Sequence, residues 1–391
     1  MKLAFLIEHF DPSRGGAETY VAQFADGCAR RGHEVHIVAR SGDAGALPAG
    51  VTLHRIPAAS LLPWRKFDRN ANEVMQELGA DIVLGTGKTT CQDVLQPHGG
   101  VYRASLRQNG ALATGTATGL LRDACELFSW KRRCYLSIEK QQYASSDTEF
   151  IAVSRMVKSD MMRYYAVPEE RIHVIYNGVD TTRFRPENAG VYREETRAAL
   201  GAGPGDLVAL LVAHNSRLKG VRCLLQAVAA LADKVPARAV IVGKGKAKPY
   251  QRLAQALGIA ERVRFEPSTA RPEEYYAAAD IYCHPTWYDP CSLVVLEALA
   301  SGLPVITTRW NGAGELITSG REGYVMSDPS DHEELARLIR LLAEEPARRA
   351  AGAAARALAL EHTLERNHRE MIEILERAGE KARRKSPNAI P

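Results

Sequence analysis

Two acidic residues eight positions apart, Asp289 and Glu297, have a spacing that suits a shared chemical task. The apolar stretch around Glu297 predicts a helix, on which eight residues span about 12 Å along the axis. One carboxylate could therefore hold a sugar while the other holds the ribose of the same nucleotide-sugar. Between them, the free N–H groups of Ser292, Leu293 and Val294 would face a bridging diphosphate. A simpler interpretation, in which Asp289 caps the helix and Glu297 lies on a solvated face, is equally consistent.

Two cations, Arg217 and Lys219, follow a predicted strand, Val208–Val212, and precede a predicted helix, Val221–Ala232. In such a turn they could neutralise the negative charge that develops on a departing diphosphate. Taken alone, they would be interpreted as exposed loop residues. Because the chain contains no Asp-x-Asp pair, we expect these cations, rather than a divalent metal bound by such a pair, to supply the positive charge.

Two glycine-rich segments could approach phosphate. Gly15 and Gly16 lie between a predicted strand and a predicted helix, where a backbone can come close to an anion. A turn required only by chain geometry is an equally consistent interpretation. The full G-x-G-x-x-G fingerprint of a dinucleotide site is missing, which argues against an NAD-dependent oxidoreductase. The second segment, Gly85–Thr90, imitates the end of a phosphate-binding P-loop, but the first glycine of that motif would fall at Ile82, which excludes it.

Strands and helices alternate along the chain, which predicts parallel sheets covered by helices on both faces. The predicted strands are Leu3–Ile7, Val35–Ala39, Val51–Ile56, Asp81–Leu84, Val208–Val212, Ala239–Val242, Val263–Phe265, Ile281–Cys283 and Val305–Thr307. The predicted helices are Ala17–Arg31, Asn70–Leu78, Val221–Ala232, Tyr250–Leu257, Pro272–Ala279 and Ser292–Ala300, with long helical stretches at Leu120–Ser146 and Asp331–Lys385.

The alternation restarts after Arg183–Gly205, which is rich in Pro, Gly and charge and is interpreted as a linker. We therefore predict two doubly wound, Rossmann-like domains that face each other across a cleft, with the ligand at the carboxyl ends of the strands. The predicted domains are residues 1–182 and 183–362, followed by a helix and basic tail, 363–391.

Composition sets limits on the class of protein. The 391 residues are 46% hydrophobic and 25% charged, which excludes a mainly disordered chain. The formal net charge of +5 suits phosphate-bearing ligands or an anionic membrane surface, but it is too small for a dedicated nucleic-acid binder. No apolar run is long enough to cross a bilayer, and the seven scattered cysteines form no CxxC pair. We therefore expect a cytoplasmic protein with reduced thiols.

The segment Leu120–Ser146 mixes aromatic and basic residues, among them Trp130, Lys131 and Tyr135. A buried helix with a solvated cationic face is the commoner interpretation. The alternative is a surface that rests on anionic lipid, with the aromatic side chains at the level of the headgroups.

The order of these motifs resembles the GT-B-fold glycosyltransferases of family 4, retaining enzymes that use nucleotide-sugar donors. The motifs that carry the resemblance are Gly15-Gly16-Ala17-Glu18, Ala152-Val153-Ser154, Tyr176-Asn177-Gly178-Val179-Asp180, Arg217-Leu218-Lys219-Gly220, Ala278-Ala279-Asp280, and an acid, seven residues and a Glu at 289–297, followed by Ala298-Leu299-Ala300-Ser301-Gly302-Leu303-Pro304-Val305. One departure is that the first acid is Asp289 rather than Glu, which keeps the charge but shortens the side chain by one methylene group.

The resemblance implies roles for individual residues. The donor would bind mainly to the C-terminal domain and the acceptor to the N-terminal one, with the last helix returning to the N-terminal domain. It implies that Asp289, Glu297, Arg217, Lys219 and His98 act in catalysis, with His98 facing the donor sugar, although a single histidine is more often structural. The residues implied to line the donor are Gly15, Gly16, Ser292, Leu293, Val294 and Glu297. No metal or other cofactor is expected, and the leaving phosphate would help to deprotonate the acceptor hydroxyl.

Within that family, the chain is similar to the lipopolysaccharide core glucosyltransferases that act on heptose. The resemblance lies in the Gly-Gly opening, the basic residues just before Lys-Gly, the basic aromatic segment and the turn at Glu169–Ile172. It implies transfer of glucose from UDP-glucose to a lipid-linked saccharide, with peripheral contact with the inner face of the membrane. Mannosyl or galactosyl transfer in capsule or glycolipid synthesis stays open, as does a non-catalytic homologue that only binds nucleotide-sugars.

Overall fold

Two parallel sheets organise the chain in the computed structural model, which describes residues 1–12, 15–56, 63–112, 129–231 and 234–385. The chain divides into an N-terminal unit, residues 1–176 together with 365–391, and a C-terminal unit, residues 177–364. Each unit contains one sheet with helices between its strands, so the prediction of two parallel-sheet α/β domains is confirmed.

The N-terminal sheet has seven parallel strands in the order β3-β2-β1-β4-β5-β6-β7. These strands are β1 (Lys2–Phe10), β2 (Glu34–Gly42), β3 (Val51–Arg55), β4 (Ile82–Gly85), β5 (Val94–Leu95), β6 (Glu149–Ala152) and β7 (Ile172–Val174). The helices of this unit are α1 (Gly16–Arg30), α2 (Pro63–Leu78), α3 (Tyr102–Ala111), α4 (Trp130–Ala144), α5 (Arg155–Tyr165) and α13 (Leu364–Lys385), of which Leu364 itself falls in the C-terminal unit. The order reverses between β1 and β4, which makes this pair the switch point of the sheet.

The two faces of β1 are buried against different helices, as expected for a central parallel strand. Leu3, Phe5 and Ile7 belong to a cluster formed with α1 and α13, whereas Ala4 and Leu6 belong to a cluster formed with α2. The apolar residues of β1 do not alternate with polar ones because both faces of the strand are buried, each in a different hydrophobic cluster.

Helix α13 packs within the N-terminal unit through Met371 and Leu375, which are fully buried. Its His368 lies so close to α1 that a Cβ added at Gly27 would be 2.4 Å from the His368 Nδ1 atom. The hydroxyl of Tyr20 donates a 2.9 Å hydrogen bond to the side chain of Asn367. The final helix is thus part of the core of the first unit.

The C-terminal sheet has six parallel strands in the order β10-β9-β8-β11-β12-β13. These strands are β8 (Leu207–Val212), β9 (Ala237–Val242), β10 (Val263–Glu266), β11 (Ile281–His284), β12 (Val305–Thr308) and β13 (Gly323–Met326). The helices are α6 (Ala189–Ala199), α7 (Val221–Ala230), α8 (Lys248–Ala256), α9 (Pro272–Ala278), α10 (Leu293–Ala300), α11 (His332–Ala343) and α12 (Glu345–Leu360). The order reverses between β8 and β11, which is the switch point of this sheet.

The prediction of a linker at Arg183–Gly205 is wrong, because the segment contains α6, which packs on α9. Two arginines of α6, Arg193 and Arg197, form ion pairs with Asp280 at 2.5 and 3.0 Å. The charges that suggested a solvated linker instead bind one buried carboxylate beside β11.

The units meet in sequence at residues 176/177 and 364/365, whereas the predicted boundaries follow residues 182 and 362. Within the C-terminal unit, the two crossing segments lie side by side. The Val179 N–H donates to the His362 carbonyl at 3.0 Å, and the Leu364 N–H donates to the Val179 carbonyl at 3.1 Å. This pairing draws the segment after Tyr176 into the second unit.

Candidate active site

The loops that follow β8 and β11 bring a cluster of charged side chains to the switch point of the C-terminal sheet. The loop after β8 carries Arg217 and Lys219, and the loop after β11 carries Asp289. Parallel sheets bind ligands at this position, because the carboxyl ends of the two strands diverge there.

Lys219 and Asp289, two of the predicted site residues, form a direct ion pair. The Lys219 Nζ lies 2.5 Å from the Asp289 Oδ2, and the His284 Nε2 lies 3.2 Å from the same oxygen. The side chain of His284 is fully buried, and that of Asp289 is only 13% exposed. The ion pair is therefore largely excluded from water.

The neighbours of Asp289 decide its protonation. Burial by itself raises the pKa of the Asp289 carboxyl, but the Lys219 ammonium and the hydrogen bond from His284 outweigh burial and hold this pKa well below its usual range. Burial lowers the pKa of His284, with a smaller opposing effect from its hydrogen bond to Asp289. At neutral pH Asp289 is therefore a carboxylate and His284 a neutral imidazole.

The imidazole of His284 is positioned by a second contact, on the side of the ring away from Asp289. Its Nδ1 lies 3.4 Å from the hydroxyl of Tyr282, and that hydroxyl accepts a 3.4 Å hydrogen bond from the Val212 N–H at the end of β8. With Nδ1 as the acceptor, Nε2 carries the proton and donates to Asp289. A chain of buried polar groups therefore fixes the orientation of the carboxylate.

The two loops are also joined through their backbones. The Trp287 N–H donates to the Leu218 carbonyl at 2.9 Å, and the Thr286 hydroxyl donates to the same carbonyl at 3.2 Å. Next to them, Gly220 has a φ of +77°, and a Cβ there would lie 2.1 Å from the Pro285 carbonyl oxygen. Only glycine permits both the left-handed backbone and this approach.

Helix α10 begins at Leu293, with Ser292 as its N-cap. The predicted free N–H of Ser292 is wrong, because it donates to the Asn311 Oδ1 at 3.3 Å. The first hydrogen bond from the α10 backbone to Ser292 comes from the N–H of Leu296 to the Ser292 carbonyl, at 3.3 Å. Leu293 and Val294 therefore lie in the first turn, where the N–H groups are available to an anion.

Asp289 neither belongs to this helix nor caps it. Its own N–H donates to the Trp310 carbonyl, and its carbonyl accepts from the Gly312 N–H, so the residue lies in an extended bridge with Asn311. The predicted separation of two acids along one helix axis is therefore wrong, because only Glu297 is helical.

Glu297 is half-buried and accepts a 2.7 Å hydrogen bond from the hydroxyl of Tyr276, a fully buried residue of α9. Burial raises the pKa of Glu297, against the hydrogen bond from Tyr276 and the attraction of Arg183. The interpretation of Glu297 as part of a solvated face does not fit these contacts.

Arg217 differs from Lys219 in having no ion pair or hydrogen bond from its guanidinium to any residue that the structure describes. It is half-exposed, and its charge remains available to a ligand. The site thus offers one unpaired cation, one cation neutralised by Asp289 and the first turn of α10.

The other predicted residues belong to the N-terminal unit. Gly15 is the N-cap of α1, and a Cβ there would lie 3.2 Å from the Glu18 Oε2, so a carboxylate already lies near this helix start. Gly16 is the first helical residue. The His98 ring packs against Tyr20 with centroids 4.4 Å apart, and burial lowers the pKa of His98 to about 4. Its Nε2 is buried, with no hydrogen-bond partner among the described residues.

Sequence reasoning missed four polar side chains that shape the site: Tyr276, Tyr282, His284 and Asn311. His284 ends a buried strand at the carboxyl edge of the sheet, a position that could have drawn attention to it. Tyr276 and Asn311 have no such signal, because their contacts arise from the packing of elements distant in sequence.

The described ranges contain neither a cluster of metal ligands nor a membrane-spanning helix. No group of three or more His, Cys, Asp or Glu side chains there is placed to hold a metal ion. No helix in those ranges is long and apolar enough to cross a membrane. The part of Leu120–Ser146 before Ser129 lies outside the described residues.

Two family models match successive halves of the chain. Residues 14–183 match glycosyltransferase family 4, and residues 192–358 match the glycosyl transferases of group 1. The first match covers the strands β2 to β7 of the N-terminal sheet but not β1, and the second covers all six strands of the C-terminal sheet.

Relatives of known name agree with these matches. The D-inositol 3-phosphate glycosyltransferase 1 of Catenulispora acidiphila is 30% identical over 378 residues, which cover 89% of this chain and 86% of that protein. A D-inositol 3-phosphate glycosyltransferase of Rhodococcus opacus is 35% identical, but the match covers 56% of this chain and only 50% of that protein's length. The lipopolysaccharide glucosyltransferase WaaG of Escherichia coli is 26% identical over 90% of this chain and 92% of that protein.

Solved structures share the fold over nearly the whole chain. The crystal structure of WaaG, a glycosyltransferase involved in lipopolysaccharide biosynthesis, has a TM-score of 0.82 with 24% identity and covers 95% of this chain and 99% of the WaaG chain. Anabaena Alr3699/HepE in complex with UDP has a TM-score of 0.74 with 20% identity over 96% of this chain and 100% of that one.

Proposed function

The chain belongs to the group 1 glycosyltransferases of family 4 and is therefore a transferase, and we propose that it moves glucose from UDP-glucose to a saccharide of a lipid-linked glycan such as the lipopolysaccharide core. The observation that carries the proposal is the ion pair of Lys219 and Asp289 at the switch point of the C-terminal sheet, in two loops of which one also carries Arg217 and the other leads into the first turn of α10.

This cluster suits the chemistry of glycosyl transfer. Breaking the bond between the anomeric carbon and the diphosphate leaves negative charge on the diphosphate. Arg217, Lys219 and the N–H groups of Leu293 and Val294 offer positive charge and hydrogen-bond donors to that group. Glu297, fixed by Tyr276, is assigned to the ribose of the donor, and Asp289 to the Lys219 ammonium and the sugar.

Support for UDP-glucose comes from the names of related proteins. WaaG is named a lipopolysaccharide glucosyltransferase, and Anabaena HepE has been solved with UDP and with UDP-glucose. The acceptor is assigned to the N-terminal unit, with Gly15, Gly16 and His98 near the substrates.

A second candidate acceptor is a phosphorylated polyol. It is favoured by the relatives named D-inositol 3-phosphate glycosyltransferase, one of which matches 86% of its own length. Transfer of mannose or galactose, and a homologue that binds nucleotide-sugars without catalysis, are the remaining alternatives.

We further propose retention of the anomeric configuration without a metal cofactor. The acceptor hydroxyl would attack from the face that the diphosphate leaves, and a phosphate oxygen of the leaving group would take its proton. Arg217 and Lys219 would supply the positive charge that a metal supplies in other phosphate chemistry.

We propose that the enzyme is cytoplasmic and contacts the membrane through the first residues of α4. Trp130 is 62% exposed, and Lys131 and Arg133 are exposed beside it. An exposed aromatic ring among cations suits a surface of anionic lipid headgroups. A membrane-anchored acceptor would then be presented to the N-terminal unit.

The proposal is tested with the purified full-length protein. Incubation with UDP-glucose, UDP-galactose and GDP-mannose, each with and without lipopolysaccharide core acceptor, should give acceptor-dependent release of UDP from UDP-glucose only, with or without excess EDTA. Proton NMR of the first product should show an α-anomer. UDP release from no donor, together with no stabilisation by UDP, would refute catalysis and donor binding. Loss of activity in EDTA that Mg²⁺ restores would refute metal independence alone.

A further inference from the structure

A second switch point, in the N-terminal sheet, holds a cation that the proposed mechanism does not use. Lys88 lies in the loop after β4, the neighbour of β1 at which the strand order reverses. This loop contains the segment Gly85–Thr90, which imitates a P-loop in sequence, but the next element is β5 and not a helix. The place is nevertheless one where α/β sheets bind ligands.

The loop around Lys88 is held on both sides. The side-chain amide of Gln142 on α4 donates to the carbonyl oxygens of Gly87 and Thr89 at 2.7 and 2.8 Å. The Thr86 hydroxyl donates to the Leu6 carbonyl of β1 at 3.0 Å. The fold therefore sets the position of Lys88 before any ligand arrives.

The ammonium of Lys88 rests on an aromatic face. Its Nζ lies 3.5 Å from the centroid of the Tyr135 ring and 5.4 Å from that of Tyr102. The Nζ of Lys131 lies 5.6 Å from the same Tyr135 centroid. Two ammonium groups therefore lie within cation–π distance of the same tyrosine ring, which places two positive charges close together.

The N–H donors of these two lysines bond to none of the residues that the structure describes. Among the described residues, neither Lys88 nor Lys131 makes a hydrogen bond or an ion pair. A lysine ammonium has three N–H donors. Lys88 is half-buried, and because no described residue accepts a hydrogen bond from it, little offsets the free-energy cost of burying its charge.

The nearby carboxylates are engaged elsewhere. Glu8 forms an ion pair with Arg40 at 3.3 Å. Glu139 accepts hydrogen bonds from the backbone N–H groups of Tyr102 and Arg103. Burial lowers the pKa of Lys88, although attraction to Glu8 and Glu139 opposes that effect. Neither acid is bonded to the ammonium that it attracts.

We propose that Lys88, supported by Tyr135 and Lys131, binds an anionic group of the acceptor, either a phosphate monoester or a carboxylate. The proposal rests on the function proposed above and narrows the acceptor from any saccharide to an anionic saccharide or polyol. The Lys88 N–H groups donate to the anion, and the charge of the anion replaces the counter-ion that the described residues do not provide.

Calorimetric titration of the full-length protein tests this assignment, with inorganic phosphate and glucuronate as separate probes and saturating UDP to occupy the donor site. The variants are Lys88→Gln, Lys88→Arg and Lys140→Gln. Lys140 is an exposed lysine on the same helix as Tyr135, so its replacement removes the same charge without touching the ring. Circular dichroism confirms that each variant is folded.

We expect at least one probe to bind the wild type and Lys140→Gln equally, and Lys88→Gln about tenfold or more weakly, with recovery in Lys88→Arg. Binding of phosphate alone identifies a phosphate monoester, and binding of glucuronate alone identifies a carboxylate. Equal binding by wild type and Lys88→Gln, or no binding of either probe to wild type, would overturn the proposal. Stabilisation by UDP is measured separately, so a failure of donor binding is distinguished from a failure of this site.

Discussion

The Nζ of Lys219 lies 2.5 Å from the Oδ2 of Asp289, so a cation and an acid assigned to different parts of the donor neutralise each other in the absence of donor. When a diphosphate binds, Lys219 has two anionic partners instead of one. Asp289 then limits how far the ammonium moves, and its effect on the reaction passes largely through Lys219.

This pairing makes the effects of two substitutions non-additive. We expect Asp289→Asn and Lys219→Met each to lower kcat/KM by about 100-fold. The double variant should be no worse than either one, because Lys219→Met removes the ammonium and Asp289→Asn removes the carboxylate that positions the same ammonium. Steady-state kinetics of the three variants give the coupling. Arg238→Met is the control, since Arg238 forms a 2.5 Å ion pair with Asp206 in the same unit but outside the site. Losses that multiply in the double variant would contradict this relationship.

Tyr276→Phe should raise KM for the donor about tenfold with little change in kcat, because the variant removes the hydroxyl that orients Glu297, the residue assigned to the ribose. Initial rates at varied donor concentration separate the two constants. Tyr192→Phe removes a hydroxyl that pairs with Arg271 instead, and it should leave both constants unchanged. A fall in kcat with constant KM would assign Tyr276 to the chemical step.

Gly220→Ala should lower the free energy of unfolding of the C-terminal unit by about 2–4 kcal/mol, since strain at φ +77° adds to a collision with the Pro285 carbonyl. Gly258→Ala separates these causes, because Gly258 has a similar φ of +70° with nothing within 4 Å of the added Cβ. We expect it to cost about 1 kcal/mol. Thermal unfolding measures both, and equal losses in the two variants would show that the collision has no effect.

The stability of the N-terminal unit should fall in mild acid through His368. Burial, with repulsion from Arg31, lowers the pKa of His368 to about 4, whereas an unfolded histidine titrates near 6.5. The unfolded state therefore binds more protons between these values. Stability is fully present above pH 6.5 and declines as pH falls towards 4, by up to about 3 kcal/mol.

Denaturant unfolding at a series of pH values checks this sign. In His368→Leu the free energy of unfolding should decline less steeply between pH 6.5 and 4, by the slope that corresponds to one bound proton. Part of the decline should persist, because the pKa of His98 is also lowered by burial. A slope unaffected by His368→Leu would exclude His368 as the titrating group.

Much of the fold was predictable because local patterns and tertiary structure agree. The apolar run at Leu3–Ile7 and the helical spacing of Val21, Phe24 and Cys28 predict β1 and α1, and both elements form within a few residues of the predicted ends. The strands β5, β6, β7 and β13 are not predicted from the sequence; β5 has two residues and β7 three, which are too few to show a periodicity. The segment Arg183–Gly205 was mistaken for a linker because its arginines have a partner, Asp280, that is distant in sequence.

The site was predictable in its residue types but not in its contacts. The motif order identified Arg217, Lys219, Asp289 and Glu297, whereas the pairing of Lys219 with Asp289 depends on the packing of two loops at adjacent strands. Tyr276 reaches Glu297 only because α9 lies against α10. Such contacts join residues far apart in the chain, and no local pattern encodes them.

The return of α13 to the first unit has a consequence for synthesis on the ribosome. Residues 177–364 hold every strand of the six-stranded sheet, so that body can complete its core as soon as it has emerged. The seven-stranded sheet, although translated first, lacks Met371 and Leu375 until the final helix follows. The nascent polypeptide therefore exposes an apolar surface on its N-terminal unit while the C-terminal unit folds. The unit that is translated first is the last to complete its core.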